Sequence, residues 1–270
     1  MKKITLFLLT IVAFNTYAQK LPNVQQTSLR APANVKIDGK AAEWGNFAAY
    51  NYATSLHYTM ANDDKNLYLA IHATDPNVLA KITQRGIVLV IDPSGKKDDK
   101  NAVTVQYPVF EVQYKNKPNL KFSNAGGLMA VQREAIRSNP DSMLAVANNR
   151  LKLNDKYIRT AGMVDVDTLL SVYNDKDIVA RQGFEKWESY NYEMSIPLKY
   201  LKLPSSAKQA FSYHIVLNGI DLLKDSGMTM TMIDGRMTMK VDGNSALYKK
   251  DDFPALTTTT DFWGEYTLAK

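Results

Sequence analysis

Apolar and polar residues alternate along several short segments of this chain, with the period of two that is typical of half-buried β-strands. The alternation is clearest in residues 56–60, 67–71, 190–196 and 211–217. Residues 87–91 are almost continuously apolar, as expected for a strand in the middle of a sheet. Asp38-Gly39 predicts a tight turn, and residues 62–66 predict the polar loop of a hairpin. Together these signals predict an all-β fold, an immunoglobulin-like or jelly-roll antiparallel β-sandwich.

Helical spacing occurs in two segments, so the sandwich is predicted to carry short helical insertions. The first covers residues 77–84, with Asp75 as its N-cap and Gly86 beyond its end. The second covers residues 126–138, and Asn139-Pro140 is predicted to end it. Further strands are predicted at residues 35–37, 50–52 and 262–268.

The first 18 residues have the order of a secretory signal peptide. Lys2 and Lys3 precede an apolar run at residues 4–14, which is too short to span a bilayer. Thr16 and Ala18 supply the small residues of a cleavage site before Gln19. We therefore expect export to the periplasm or the extracellular space, with no membrane span. Because no Pro-, Gly- or Ser-rich linker divides residues 19–270, one domain is predicted.

The composition restricts the chemistry that this chain can perform. It has no cysteine, which excludes disulfides, thiolate nucleophiles and cysteine-ligated zinc. The net charge is +6, but basic and acidic residues are interspersed, as at residues 96–100, and no basic stripe is present. Nucleic acid is therefore not an expected partner.

Candidate catalytic residues are few, and the chain is predicted not to be an enzyme. It has three histidines, His57, His72 and His214, each within a predicted strand, where a packed or surface histidine is commoner than a metal ligand. Glu185, Glu188 and Glu193 are clustered in sequence, as a glycosidase carboxylate pair would require, but surface and strand-edge positions are the simpler interpretation. No nucleophile elbow, zinc-protease or phosphate-loop motif occurs.

Four motifs together resemble the carbohydrate-binding module family 9-like (DOMON-like) domains, in their exported bacterial single-domain form. These motifs are Ile37-Asp38-Gly39 followed by Glu43-Trp44, then Asp63-Asp64-Lys65-Asn66-Leu67-Tyr68-Leu69, then Tyr192-Glu193-Met194-Ser195-Ile196-Pro197-Leu198, and finally Asp261-Phe262-Trp263. The resemblance implies a β-sandwich that binds sugars without cleaving them. It also implies a glycan or oligosaccharide partner and a role in carbohydrate catabolism.

The candidate sugar site is centred on Trp187. Sugar binding needs exposed aromatic planes with amide, carboxylate or guanidinium groups beside them. Trp187 lies in a polar, charged stretch with little core to enter. Trp44 is instead expected to close one end of the sandwich, and Trp263 is expected to lie half in the core. The accompanying candidates, which are close in sequence, are Tyr173, Asn174, Arg181 and Tyr190.

Other functions stay open on the sequence alone. The first is a structural or interaction protein of the cell envelope that kept the sandwich and lost the sugar site. The second is a haem or metal carrier, for which Met60 and His72 are the nominated pair. Residues 228–239 alternate Met with polar residues, which predicts a hairpin or loop or, alternatively, a soft-metal site. No cofactor is expected, apart from structural calcium at Asp63-Asp64 or Asp98-Asp99.

Overall fold

The structure is a computed structural model, and it describes residues 20–109, 140–186, 189–203, 210–221, 228–234, 236–241 and 253–270. Its strands are β1 (Ala49–Asn51), β2 (Leu56–Asn62), β3 (Asn66–Ala73), β4 (Ile87–Asp92), β5 (Val103–Tyr107), β6 (Tyr157–Ala161), β7 (Leu169–Ser171), β8 (Val179–Lys186), β9 (Ser189–Pro197), β10 (Phe211–Leu217), β11 (Met228–Ile233), β12 (Arg236–Val241) and β13 (Thr260–Tyr266). The α-helices are α1 (Pro76–Arg85), α2 (Pro140–Asn154) and α3 (Phe253–Thr257). None of these helices combines the length and the hydropathy needed to cross a membrane.

Within those ranges the strands form two large antiparallel sheets and one separate ribbon. The five-stranded sheet has the order β1-β2-β3-β9-β8, and the six-stranded sheet has the order β13-β10-β4-β5-β6-β7. Strands β11 and β12 pair only with each other. The predicted fold class, an antiparallel β-sandwich with few helices, is therefore confirmed.

One hydrophobic core contains the inward faces of both large sheets. Leu69 and Ile196 from the five-stranded sheet are almost fully buried, together with Leu89 and Ile215 from the six-stranded sheet. Buried hydroxyl groups of Tyr58 and Tyr213 meet across this core at 2.8 Å. Because the hydroxyls bond to each other, two large aromatic residues are buried without leaving these polar groups unpaired.

Helix α1 forms where the sequence predicts it. The Asp75 carboxylate caps the helix by accepting hydrogen bonds from the backbone N–H groups of Asn77 at 2.8 Å and Val78 at 3.1 Å. The helix ends at Arg85 and is followed by Gly86, whose φ of +71° suits a residue without a Cβ. The buried face includes Val78, Leu79 and Ile82.

The structure corrects one predicted element. Residues 35–37 form no strand; Val35 and Ile37 instead pack in an irregular segment against the cluster that contains Trp44 and Tyr68. Pro140 is the first residue of helix α2, in agreement with the preference for proline in the first helical turn. The helix predicted at residues 126–138, the signal peptide and Trp187 lie outside the described residues.

Candidate functional site

The predicted site residues are brought together only in part. Tyr173 follows strand β7 and is 80% exposed, and the Arg181 guanidinium lies 5.7 Å from the centre of its ring. Asn174 is adjacent, but its amide braces the loop: Nδ2 donates to the carbonyl oxygens of Ser171 and Ile178 at 2.8 Å, and Oδ1 accepts from the Lys176 backbone. Tyr173 thus exposes its ring beside the half-buried guanidinium of Arg181, which donates hydrogen bonds to the carbonyl oxygens of Val172 and Ala180.

Tyr190 is fully buried and offers no surface to a ligand. Its ring packs in the core against Phe184, and its hydroxyl donates a hydrogen bond to Gln182 Oε1. The reason is the alternation of β9, which places Tyr190 on the same inward face as Met194 and Ile196. Tyr190 therefore cannot contribute to a surface binding site.

The Ile37-Asp38-Gly39 and Glu43-Trp44 motifs have a shared structural role around Glu193 of β9. Trp44 Nε1 donates to Glu193 Oε1 at 2.7 Å, while the backbone N–H groups of Asp38 and Gly39 donate to Oε2 at 3.0 and 2.8 Å. Burial raises the pKa of Glu193, and these three hydrogen bonds act in the opposite direction. The buried carboxyl thereby docks the irregular N-terminal segment onto the outer face of the five-stranded sheet.

Beside this docked segment, an aromatic row remains partly open on the outer face of the same sheet. We define the aromatic row as Phe47, Tyr50, Tyr52, His57 and His72. The register explains the arrangement, since Tyr50 is paired with His57 and His57 is paired with His72, so their side chains share one face of β1, β2 and β3.

The rings of the aromatic row contact one another in series. The ring of Tyr50 lies edge-on to the ring of Tyr52, with 5.0 Å between their centroids. The centroid of Tyr50 is also 4.5 Å from that of His57. His57 is 6.0 Å from His72, on which Phe47 stacks at 5.8 Å. Tyr52 is 48% exposed, and the other four rings are half-buried. The row thus presents ring edges and part-faces to solvent across three neighbouring strands.

Polar groups lie at both ends of the aromatic row. At one end His72 Nδ1 is 2.8 Å from Asn191 Oδ1, and Asn191 Nδ2 donates to the exposed carboxylate of Glu185 at 3.2 Å. At the other end the Lys20 ammonium lies 4.8 Å above the ring of Tyr52. Burial, and secondarily the charge of His72, lowers the pKa of His57, so neutral imidazole is favoured in the middle of the row.

The third histidine lies on the other sheet, so the three do not converge on one metal. His214 of β10 stacks on Trp263 of β13 at 4.3 Å between centroids, and its Nε2 is 2.8 Å from Asp261 Oδ2. Met60 is buried on the inner face of the five-stranded sheet, whereas His72 lies on the outer face, so the nominated haem pair cannot ligate one iron. Among the described residues there is no cluster of three or more His, Asp or Glu suited to a metal ion.

The acidic loops considered for calcium use their carboxylates to brace turns. Asp63 accepts from the backbone N–H groups of Lys65 at 2.7 Å and Asn66 at 2.6 Å, and from the Tyr68 hydroxyl at 2.7 Å. Burial raises the pKa of Asp63, but these hydrogen bonds outweigh it and the pKa is lowered. Asp98 similarly accepts from the Lys100 backbone at 3.0 Å. Structural calcium stays a prediction.

The fold and the row define a class, an antiparallel β-sandwich with a partly open aromatic row on one outer face. No protein family and no curated protein matches this chain. Among solved structures, it is similar to a carbohydrate-binding module family 9 protein from Caldicellulosiruptor kristjanssonii in complex with glucose. The identity is 13%, the match covers 90% of this chain and 95% of the other, and the TM-score is 0.39. A likeness at this level assigns neither family nor ligand.

Proposed function

We propose that this protein binds carbohydrate without cleaving it, and that the aromatic row on the five-stranded sheet is the contact surface. The observation that carries the proposal is the unbroken contact of the five rings from Tyr52 to Phe47 beside hydrogen-bonding groups at either end. A sugar has apolar C–H faces and a rim of hydroxyl groups, so it needs both kinds of surface. The sequence resemblance implies the same function.

The polar groups at the two ends of the aromatic row would fix the orientation of a bound sugar. The Glu185 carboxylate accepts hydrogen bonds and is exposed, while Asn191 and His72 are already bonded to each other. A sugar hydroxyl that donates to Glu185 would therefore gain a charge-assisted hydrogen bond. A shallow site with half-buried rings predicts weak binding, between about micromolar and millimolar dissociation constants.

Trp187 is a further candidate for contact with the sugar because of its position in the chain. It comes two residues after Glu185, between strands β8 and β9. Its predicted stacking role remains a prediction, and so does a rim role for Arg181 beside Tyr173. The two candidate surfaces are separable by mutation, because Tyr50 and Tyr52 belong to the aromatic row and Tyr173 follows β7 of the other sheet.

Glycoside hydrolysis is not proposed. A hydrolase needs two carboxyl groups that reach the same glycosidic bond from opposite sides. Glu193 is fully buried and already bonded to Trp44 and to the Asp38-Gly39 turn. Glu185 therefore has no partner carboxylate in Glu193, and the proposed site binds its ligand unchanged. With the predicted export, the ligand would be a glycan outside the cytoplasm.

A glycan array with the mature protein, followed by calorimetric titration of the best binder, tests this function. Tyr50→Ala and Tyr52→Ala should each weaken binding and leave the unfolding midpoint almost unchanged, because Tyr52 is 48% exposed and Tyr50 is a half-buried residue of the edge strand β1. Trp187→Ala tests the predicted stacking residue, and Tyr173→Ala is the matched tyrosine variant outside the row.

The outcomes separate the alternatives. Loss of binding in the Tyr50 and Tyr52 variants alone, or together with Trp187→Ala, supports the aromatic row. Loss in Tyr173→Ala with normal binding by the row variants would place the site at the Tyr173 and Arg181 pair instead. An array without any bound glycan would reject carbohydrate binding and favour a cell-envelope protein partner.

A further inference from the structure

The aromatic row runs across the strands of the five-stranded sheet, not along them. Tyr50 of β1 is paired with His57 of β2, and His57 is paired with His72 of β3. The same line of pairs continues from His72 to Asn191 of β9 and from Asn191 to Gly183 of β8. We call these five positions the paired line. Because directly paired residues share a face of the sheet, the paired line crosses the whole width of the outer face.

The paired line is longer than a single sugar. Neighbouring strands lie about 4.8 Å apart, so the four spacings from β1 to β8 measure about 19 Å. Tyr52, which follows β1, adds a ring next to that of Tyr50. A pyranose ring is similar in size to a phenol ring, so one sugar unit covers only part of this length.

The docked N-terminal segment closes one long side of the paired line. Two residues away on each strand, the same face of the sheet carries Thr59, Ala70 and Glu193, which are at most 4% exposed. The Ala48 backbone N–H donates to Thr59 Oγ1 at 3.0 Å, and Trp44 is bonded to Glu193. Because this neighbouring line of positions is covered, a ligand on the outer face has to follow the paired line across the strands.

The polar groups at the two ends of the aromatic row are too far apart to bind one sugar unit. The Glu185 carboxylate lies at the β8 end, where it is exposed and accepts a hydrogen bond from Asn191. The Lys20 ammonium lies at the β1 end, above the ring of Tyr52. Recognition of a sugar end needs polar groups that converge on one ring. Separated groups instead suit the hydroxyls of different units in a longer chain.

We propose that the ligand of the aromatic row is the interior of a linear oligosaccharide, and this assignment rests on the carbohydrate function proposed above. At least three consecutive sugar units would lie across the strands, from Tyr52 to Glu185. Their C–H faces would contact the rings of the row, and a hydroxyl group of the last unit would donate to Glu185. Neither end of the glycan chain takes part in binding.

The experiment is calorimetric titration of the mature protein with oligosaccharides of two to six units, in series from β-1,4-linked glucan, mannan, xylan and chitin and from α-1,4-linked glucan. In a series that binds, the affinity should rise by about 2–10-fold with each unit that reaches a further ring, and should level off at three or four units. Borohydride converts the terminal sugar to its open-chain alditol. The reduced hexasaccharide should bind within about 2-fold of the untreated one, because six units exceed the length of the paired line.

Variants at the two ends of the row test the length of the contact. Tyr52→Ala and Glu185→Gln should each weaken binding of the hexasaccharide by about 2–10-fold. The same variants should change binding of the disaccharide by less than about 2-fold, because a disaccharide can occupy the rest of the row. Tyr173→Ala, outside the row, is the control and should bind the hexasaccharide as the parent does. All three side chains are exposed, so the variants should fold normally.

An affinity that does not depend on chain length would overturn this ligand class and leave carbohydrate binding intact, and so would loss of binding after reduction. Equal losses for the disaccharide and the hexasaccharide in the end variants would also overturn it. If no series binds, the linear oligosaccharide is the wrong ligand. Only an array without any bound glycan would reject the proposed function as well.

Discussion

A buried carboxyl group should make the stability of this protein fall as the pH rises. Asp155 follows helix α2 and is 6% exposed, and its Oδ1 atom has no hydrogen-bond partner among the described residues. Burial raises the pKa of Asp155 from 3.8 to about 7, against the opposing influence of Gln182, Tyr107 and the charges of Lys156 and Arg181. The folded state therefore prefers the protonated acid.

The sign and size of the effect follow from proton linkage. Between pH 3.8 and about 7 the folded protein binds more protons at Asp155 than the unfolded chain does, so stability decreases with pH through this window. At about 1.36 kcal/mol per pH unit, the total change across the window is about 4 kcal/mol. This contribution is complete below pH 3.8 and is lost by about pH 7.

The assay is urea denaturation of the parent and of Asp155→Asn at several pH values from 4 to 8. The free energy of unfolding of the parent minus that of the variant should fall by about 4 kcal/mol across the series, since asparagine does not titrate. The subtraction cancels the contributions of the other carboxyl groups. A difference that stays constant with pH would refute the burial and protonation assigned to Asp155.

Three further predictions concern stability. Leu69→Ala should lower the free energy of unfolding by about 2–5 kcal/mol in urea titrations, and an unchanged midpoint would contradict the assigned strand faces. Trp44→Phe removes a hydrogen bond to a buried carboxyl and should cost about 1.5–3 kcal/mol, measured in the same way; a loss below about 0.5 kcal/mol would mean that Glu193 does not need this donor. Gly39→Ala should lower the melting temperature more than Gly45→Ala, because both glycines have positive φ but only at Gly39 would a Cβ meet the backbone of β8, at 2.8 Å. Equal losses in the two alanine variants would argue against that close approach.

Much of the fold could be predicted from local pattern. Alternation located the hairpin of β2 and β3 and the strand β10, and the Asp75 cap and Gly86 located helix α1. Leu69 and Ile196 are buried, as expected for apolar positions of the alternating segments, and Val90 of the apolar run at residues 87–91 is buried too. Val90, however, lies outside the core cluster, because it is on the opposite face of β4 from Leu89.

The candidate site was less predictable, because it depends on register between distant strands. The hairpin loop at residues 62–66 predicts that His57 and His72 lie on adjacent strands of one hairpin, and the pairing of β2 with β3 confirms it. Their proximity to Asn191 depends on the pairing of β3 with β9, which are more than a hundred residues apart in sequence. Tyr190 was predicted to be a rim residue although the alternation of its own strand already indicated the core.

The docking role of Glu193 also needed the structure. Its sequence context suggested a surface or strand-edge acid, whereas it is fully buried beneath the segment that contains Trp44. A strand acid can be buried only where donors satisfy it, and here the donors come from residues some 150 positions earlier. No local pattern contains that information.

The central claim, carbohydrate binding at the aromatic row, is tested most directly by the histidine ring signals in the NMR spectrum. The chain has three histidines, so the spectrum contains its own control. On addition of the best glycan from the array, the ring signals of His57 and His72 should shift in proportion to the bound fraction. The signal of His214, on the other sheet, should stay in place. Saturable shifts at His214 alone, or no shift at His57 and His72 with a glycan that binds, would contradict the account.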